Sequence, residues 1–313
     1  MLVQYNAPDV VNSPTWISFR DEVKRIKHEK KILILAHNYQ CPEILEVADI
    51  TGDSLELAIR AQQAKEEIIV VCGVNFMAET AKLLNPDKKV LTPRDDAGCP
   101  LADQLTPEEI REAKTKYPGA PFVIYVNSTA ACKAESDITC TSSNAVEIVR
   151  SLPQEVVLFG PDSNLAAFVQ RQLPEKKIIP VPSEGNCPIH NAITRNDIVQ
   201  AKTIGGYIVC HPECTAEVST AADAVVSTGK MKAVIAEHKI CHIFTVEAML
   251  YLLQKEWPDK TLYGLDFATC EDMQKVQPED LLACITQEKS EITVDESCAP
   301  RARSAIEKML ALH

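Results

Sequence analysis

Three segments of the chain repeat one layout, and each ends on a cysteine at the same place in it. In the first, ILILAHNYQ (32–40) is followed by GDSLELA, IIVVCG and KKVLTPRDDAGCP, which reaches Cys99. The second runs FVIYVNSTA (122–130), TSSNAVEIV, VVLFGP and KKIIPVPSEGNCP, which reaches Cys187. The third runs YIVCHPECT (207–215), STGKMKAVI, HIFTV and DKTLYGLDFATC, which reaches Cys270. Counted from His37, Asn127 and His211, the cysteine follows after 62, 60 and 59 residues. A fold built on such a triplication brings three thiols to one axis, so symmetry already encodes a metal-site geometry.

The three cysteines lie 88 and 83 residues apart. Units of that size are small for independent domains, and a shared interface is expected. The polar joins after the first two cysteine motifs place boundaries near Gln104 and Thr194, giving units 1–104, 105–193 and 194–313. The last unit carries a helix in VDESCAPRARSAIEKMLALH that is expected to pack back on another unit. Apolar runs such as KILILAH, EEIIVVCG, KKVLTP, FVIYVN, VVLFGP, KIIPVP, YIVCH and AVIAEH read as short strands. Their continuous rather than alternating character suits parallel strands covered on both faces. Between them lie helical patterns, among them SLELAIRAQQAKEE, FMAETAKLLN, NLAAFVQRQLP and TVEAMLYLLQKEWP, stopped by Pro86, Pro153, Pro174 and Pro258. The fold class that follows is α/β: three pseudo-threefold-related small αβα domains, each with a short parallel sheet of about three strands, around a central cavity.

In open α/β sheets functional groups gather beyond the carboxyl ends of the strands. The first strands of the three units end in His37-Asn38-Tyr39, Tyr125-Val126-Asn127-Ser128 and His211-Pro212-Glu213. At a similar distance beyond each cluster a helix starts, at Thr51-Gly52-Asp53-Ser54, Thr141-Ser142-Ser143-Asn144 and Ser227-Thr228-Gly229-Lys230. Taken singly these are ordinary caps. Three of them facing one axis favour carboxylate or phosphate, so the expected ligand is a small polyanion. Neither Gly-x-Gly-x-x-Gly nor a Gly-Lys-Ser/Thr loop is present, which argues against a dinucleotide or nucleoside triphosphate.

Twelve cysteines occur without a basic-then-apolar leader at the N-terminus, so reduced thiols and a cytoplasmic protein are expected. No Cys-x-x-Cys is present, which removes the zinc ribbon and the thioredoxin-type motif. Three thiolates at one register, with no histidine there, suit an iron–sulfur cluster better than structural zinc, which takes four ligands. A [4Fe–4S] cluster held by Cys99, Cys187 and Cys270 keeps one iron open as a Lewis acid. The other nine cysteines are expected to be mostly small buried hydrophobes. A net charge of −12 disfavours a nucleic-acid partner, and no apolar run approaches the ~18 residues of a membrane span.

The segments AHNYQ, GDSLELA, GVNFMAETAKLLNPDKKVL, GCPLAD, YVNSTA, TSSNAVEIV, FGPDSNLA, IIPVPSEGNCPIH, HPEC, STGKM and CEDM, in this order along nearly the whole chain, closely resemble the quinolinate synthase family. The resemblance implies a pseudo-threefold set of α/β domains around one [4Fe–4S] cluster. It implies a transferase that condenses iminoaspartate with dihydroxyacetone phosphate to quinolinate, phosphate and two waters in de novo NAD biosynthesis, with an aspartate-oxidising enzyme as supplier of iminoaspartate. By resemblance Cys99, Cys187 and Cys270 match the cluster ligands. His37, Ser54, Tyr125, Val126, Asn127, Ser142, His211, Pro212, Glu213 and Thr228 match substrate-contacting positions, with Tyr39 and His190 as neighbours of the same cavity. Glu213 is the first choice for general acid/base chemistry, with His37, His211 and Tyr125 positioning the triose or relaying protons. Lys230 and Leu101 depart from the family's usual residues beside its motifs, and Cys298 has no family role. Two other readings stand beside this one: another triplicate [4Fe–4S] enzyme of the diphthamide-synthesis kind, and a non-catalytic iron–sulfur sensor, against which the ring of polar strand ends argues.

Overall fold

The computed structural model describes residues 1–8 and 10–312. A short strand β1 (Leu2–Gln4) precedes three sheets that follow one another along the chain. The first holds β2 (Ile32–His37), β3 (Ile50–Gly52), β4 (Ile68–Cys72) and β5 (Lys89–Leu91), in the spatial order β3-β2-β4-β5. The second holds β6 (Phe122–Tyr125), β7 (Ile138–Cys140), β8 (Val156–Gly160) and β9 (Lys177–Pro180), in the order β7-β6-β8-β9. The third holds β10 (Tyr207–Cys210), β11 (Ala224–Val225), β12 (Ile240–Phe244) and β13 (Thr261–Leu265), in the order β11-β10-β12-β13, with β1 added beside β13. All pairings are parallel except that of β1, which is antiparallel. The architecture is thus α/β, with one strand order used three times.

Each sheet has four strands in this order where about three were expected. The extra member is the strand of two or three residues that pairs with the end of the first, as His37 with Gly52, Tyr125 with Cys140 and Cys210 with Val225. Runs so short carry no readable period. AVIAEH, expected as a strand, is instead the end of helix Thr228–Val234 and the turn after it; the strand begins at Ile240. The longest helix, Pro14–Lys30, escaped the periodicity because only Trp16, Val23 and Ile26 of its 17 residues are buried. Its start is nonetheless conventional: Ser13 Oγ accepts from Trp16 N at 3.1 Å, with Pro14 in the first turn.

Continuous apolar strands become the core, and every residue of β2 and of β6 is buried. The chain ends tie the sheets together. β1 joins the third sheet, while helix Ala299–Leu310 lies on helices Asn75–Leu84 and Ala130–Glu135 and on β7. Its Ala302, Ala305, Ile306 and Met309 are buried there, and Thr139 Oγ1 donates to Ala305 O at 3.3 Å.

The inner helix starts also interlock. Ser143 Oγ donates to Asp53 Oδ2 at 2.6 Å and lies 2.6 Å from Ser227 Oγ, and Asn38 Nδ2 donates to Thr228 Oγ1 at 3.3 Å. Gly229 permits this closeness, because a Cβ there would meet Asp53 Oδ2 at 2.7 Å. One residue from each unit therefore meets at the same point. The carboxyl ends of the strands open beside it, onto one cavity.

Candidate functional site

The cavity has a volume of about 330 Å³, within the usual range for small-molecule sites. Its wall includes His37, Ser54, Tyr125, Asn127, Ser142, His211, Glu213 and Thr228, together with Tyr39 and His190. Val126 and Pro212 are buried but are not part of that wall; Val126 faces a small gap behind it, among Leu57, Met77 and Ala81. Cys99, Cys187 and Cys270 line the same cavity. They are its only cysteines, and each is free and partly exposed.

The three thiols sit in the same local geometry. Cys187 stands at the residue before helix Pro188–Asn191 and Cys270 at the residue before helix Glu271–Gln274, neither side chain bonding to the helix. In all three the cysteine's own carbonyl accepts from the N–H four residues on: Cys99 O from Asp103 N at 3.2 Å, Cys187 O from Asn191 N at 2.9 Å and Cys270 O from Gln274 N at 3.1 Å. Burial pushes all three thiols up, Cys99 to about 12. The cavity wall contains no Lys or Arg that would stabilise thiolates. A metal centre would supply the missing positive charge and expel the protons as it binds. Three thiols on one wall, with no fourth cysteine there, fit a cluster held by three protein ligands.

Two histidines at equivalent strand ends are fixed identically. His37 Nδ1 accepts from Tyr39 N at 3.2 Å, and His211 Nδ1 accepts from Glu213 N at 3.3 Å. An accepting Nδ1 places the ring proton on Nε2, which in His211 donates to Ser142 Oγ at 3.2 Å. Burial lowers His37 to about 4 and His211 to about 3. Both are therefore neutral N–H donors near pH 7, suited to polarising a carbonyl or holding a carboxylate.

These two shifts set the pH dependence of stability. Below about 6.5 the unfolded chain takes up protons on these histidines while the folded chain does not, so stability falls as pH drops from 6.5 towards 4. The expected loss between pH 7.5 and pH 5 is about 2 kcal/mol per histidine. Urea midpoints at the two pH values check this, and the H37N/H211N double variant should flatten the difference. An unchanged slope in that variant would disprove the assignment.

Glu213 is 3% exposed. Burial pushes its carboxyl up, but the neighbouring imidazoles and the bonds from His190 and Tyr125 outweigh that and hold it down, at about 2. His190 Nδ1 lies 2.6 Å from Glu213 Oε2 and 3.2 Å from Cys187 Sγ. Its Nε2 lies 2.8 Å from Thr245 Oγ1, which lies 2.5 Å from Tyr39 OH. Tyr125 lines the same wall as Ser142 and Glu213, and burial, followed by the charge of Glu213, raises its phenol well above the usual range. An ionised carboxylate thus faces the cavity, free to accept a proton or a hydrogen bond.

Sequence reading missed Thr245, which joins Tyr39 to His190. The signal was present, because Thr245 directly follows β12 and occupies a strand end like the other clusters. The helix starts also differ from expectation in their chemistry. Asp53 Oδ1 takes the N–H groups of Leu55 and Glu56, and Thr141 Oγ1 takes that of Ser143. What the three starts present to the cavity is mainly hydroxyl: Ser54, Ser142 and Thr228. Asn127 Oδ1 is buried in the same region without a partner, an orphan that a ligand donor would satisfy.

Comparison with known proteins agrees with this arrangement. The family model described as "NadA: Quinolinate synthetase A protein" matches residues 21–311. The quinolinate synthase of Pyrococcus horikoshii is 46% identical over 295 residues, covering 93% of this chain and 98% of that protein. That of Pyrococcus furiosus is 46% identical over 296 residues, covering 94% and 97%. That of Thermotoga maritima is 43% identical over 296 residues, covering 93% and 99%. Among the described residues no helix is long and apolar enough to cross a membrane. With a family match that spans nearly the whole chain, and a fold and cavity in keeping with it, the chain belongs to the quinolinate synthetase A family.

Proposed function

We propose that this chain is a quinolinate synthase, a transferase that condenses iminoaspartate with dihydroxyacetone phosphate to give quinolinate, phosphate and two waters in de novo NAD biosynthesis. It carries one [4Fe–4S] cluster on Cys99, Cys187 and Cys270, works in the cytoplasm, and receives iminoaspartate from an aspartate-oxidising enzyme. It divides into the units 1–104, 105–193 and 194–313. The observation that supports this reading is the convergence of three in-register thiols with Glu213, His37, His211 and Tyr125 in one cavity.

When bound, the cluster supplies a Lewis-acid iron that polarises a hydroxyl or carboxylate oxygen during loss of water. The chain's own groups do the rest. His37 and His211, held as Nε2–H donors, orient the triose carbonyl and the carboxylates. The hydroxyls of Ser54, Ser142 and Thr228 hold anionic oxygens in a wall without Lys or Arg, and Asn127 Oδ1 accepts from a donor group of the ligand. Glu213, ionised, takes the proton from the carbon or nitrogen that becomes bonded, and Tyr125, protonated, donates to the departing oxygen. Val126 and Pro212 hold the flanking backbone from behind the wall.

The test is anaerobic purification with iron and sulfide counts, followed by assay with iminoaspartate and the triose phosphate. About four irons and four sulfides per chain, with quinolinate formed, are expected. An iron-loaded chain that forms none would overturn the activity.

A further inference from the structure

The donor atoms of Cys187, His190 and Glu213 all lie within 4.8 Å of one another, and the last two side chains are buried. We propose that in the cluster-free chain these three residues form a site for one divalent cation of the zinc class, and that this ion and the iron–sulfur cluster exclude each other. The exclusion rests on Cys187 as a cluster ligand; the cation site itself does not.

The donor set is one sulfur, one imidazole nitrogen and one carboxylate oxygen, a combination that zinc accepts with a fourth position left open. Zinc bonds of about 2.0–2.3 Å in a tetrahedron require donor separations of about 3.3–3.6 Å. Cys187 Sγ and His190 Nδ1 are already 3.2 Å apart. His190 Nδ1 and Glu213 Oε2, at 2.6 Å, share a hydrogen that the cation would replace, so they must spread by less than an ångström. The outer contact is also in place: His190 Nε2 meets Thr245 Oγ1 at 2.8 Å, the kind of second partner that fixes a metal-bound imidazole. Charge favours the same outcome. On binding, the Cys187 thiol loses its proton to solvent, and thiolate plus carboxylate neutralise a dication in a wall that contains no Lys or Arg. The fourth position faces the cavity and takes a water. The same ion would occupy the carboxylate assigned as general base, so a chain loaded in this way is inert as well as cluster-free.

The test uses the full-length chain freed of iron by anaerobic chelation and titrated with Co²⁺ as a spectroscopic stand-in for zinc. One Co²⁺ per chain, with sulfur-to-cobalt charge-transfer absorption, is expected. Cys187→Ser, His190→Ala and Glu213→Gln should each weaken binding at least about tenfold, and Thr245→Val by about 10- to 100-fold. Cys99→Ser and Cys270→Ser, which keep the three donors, should bind within about threefold of the parent and serve as folding controls. The chain carrying its reconstituted cluster should bind no Co²⁺ at this site. Absence of binding, equal weakening in Cys99→Ser and Cys270→Ser, or uptake undiminished by the cluster would overturn the proposal. A Cys187→Ser chain that keeps its full iron complement sinks the cluster assignment instead, and leaves the Co²⁺ pattern among the variants unaltered.

Discussion

Replacing Cys99, Cys187 or Cys270 by serine is expected to lower iron from about four per reconstituted chain to less than one, and to reduce quinolinate formation by at least about 10³-fold. The magnitude follows from the several kcal/mol that a Lewis-acid metal supplies, at 1.36 kcal/mol per factor of ten in rate. Each cysteine opens a turn through its backbone carbonyl rather than through its sulfur, so serine fits the space but offers a poor ligand to iron. Cys284→Ser and Cys298→Ser are the proper comparison. Cys284 lies on the buried face of helix Pro278–Gln287, and the Cys298 thiol donates to Asp295 O at 3.3 Å; neither lines the cavity. Both variants should keep their iron. Iron and sulfide analysis with the visible absorption of the cluster decides the matter: any of the three cavity variants retaining about four irons removes that cysteine from the ligand set.

The second large effect belongs to Glu213. Glu213→Gln should lower kcat by about 10²- to 10⁴-fold while the absorbance of the cluster stays unchanged. The amide preserves the shape and can still accept from His190 Nδ1 and Tyr125, so the variant isolates the loss of a base from the loss of packing. Because the carboxylate is held ionised far below neutrality, the parent's acid limb should lie well below pH 6. A variant with turnover within about threefold of the parent would show that another group moves the proton. A variant that loses its cluster would show that Glu213 supports the metal rather than the substrate.

Much of this site was legible in the sequence because repetition makes register visible. The distance from strand end to cysteine is set within one repeat, where three helices and three strands occupy a nearly constant number of residues. His37, Asn127 and His211 therefore sit in step with Cys99, Cys187 and Cys270, and all six do line the cavity. The continuous apolar runs gave buried parallel strands for the same local reason. Failures were also local: β3, β7 and β11 are too short to show a period, and the mostly exposed helix Pro14–Lys30 has no strong stripe.

The sequence by itself determined the α/β class, the threefold layout, the three in-register thiols and the family. Only the tertiary structure decided how these parts meet. It set His190 between Cys187 and Glu213, joined Tyr39 to Thr245 across 206 positions, and let Asp53, Ser143 and Ser227 from three units share hydrogen bonds. It also fixed which ring nitrogen of His37 and His211 faces the cavity. The physical reason is that register is a property of chain length between local elements, whereas contact among side chains of different sheets depends on how those sheets pack. Desolvation, which moves the pKa of His37, His211, Tyr125 and the three thiols, comes into being only with that packing.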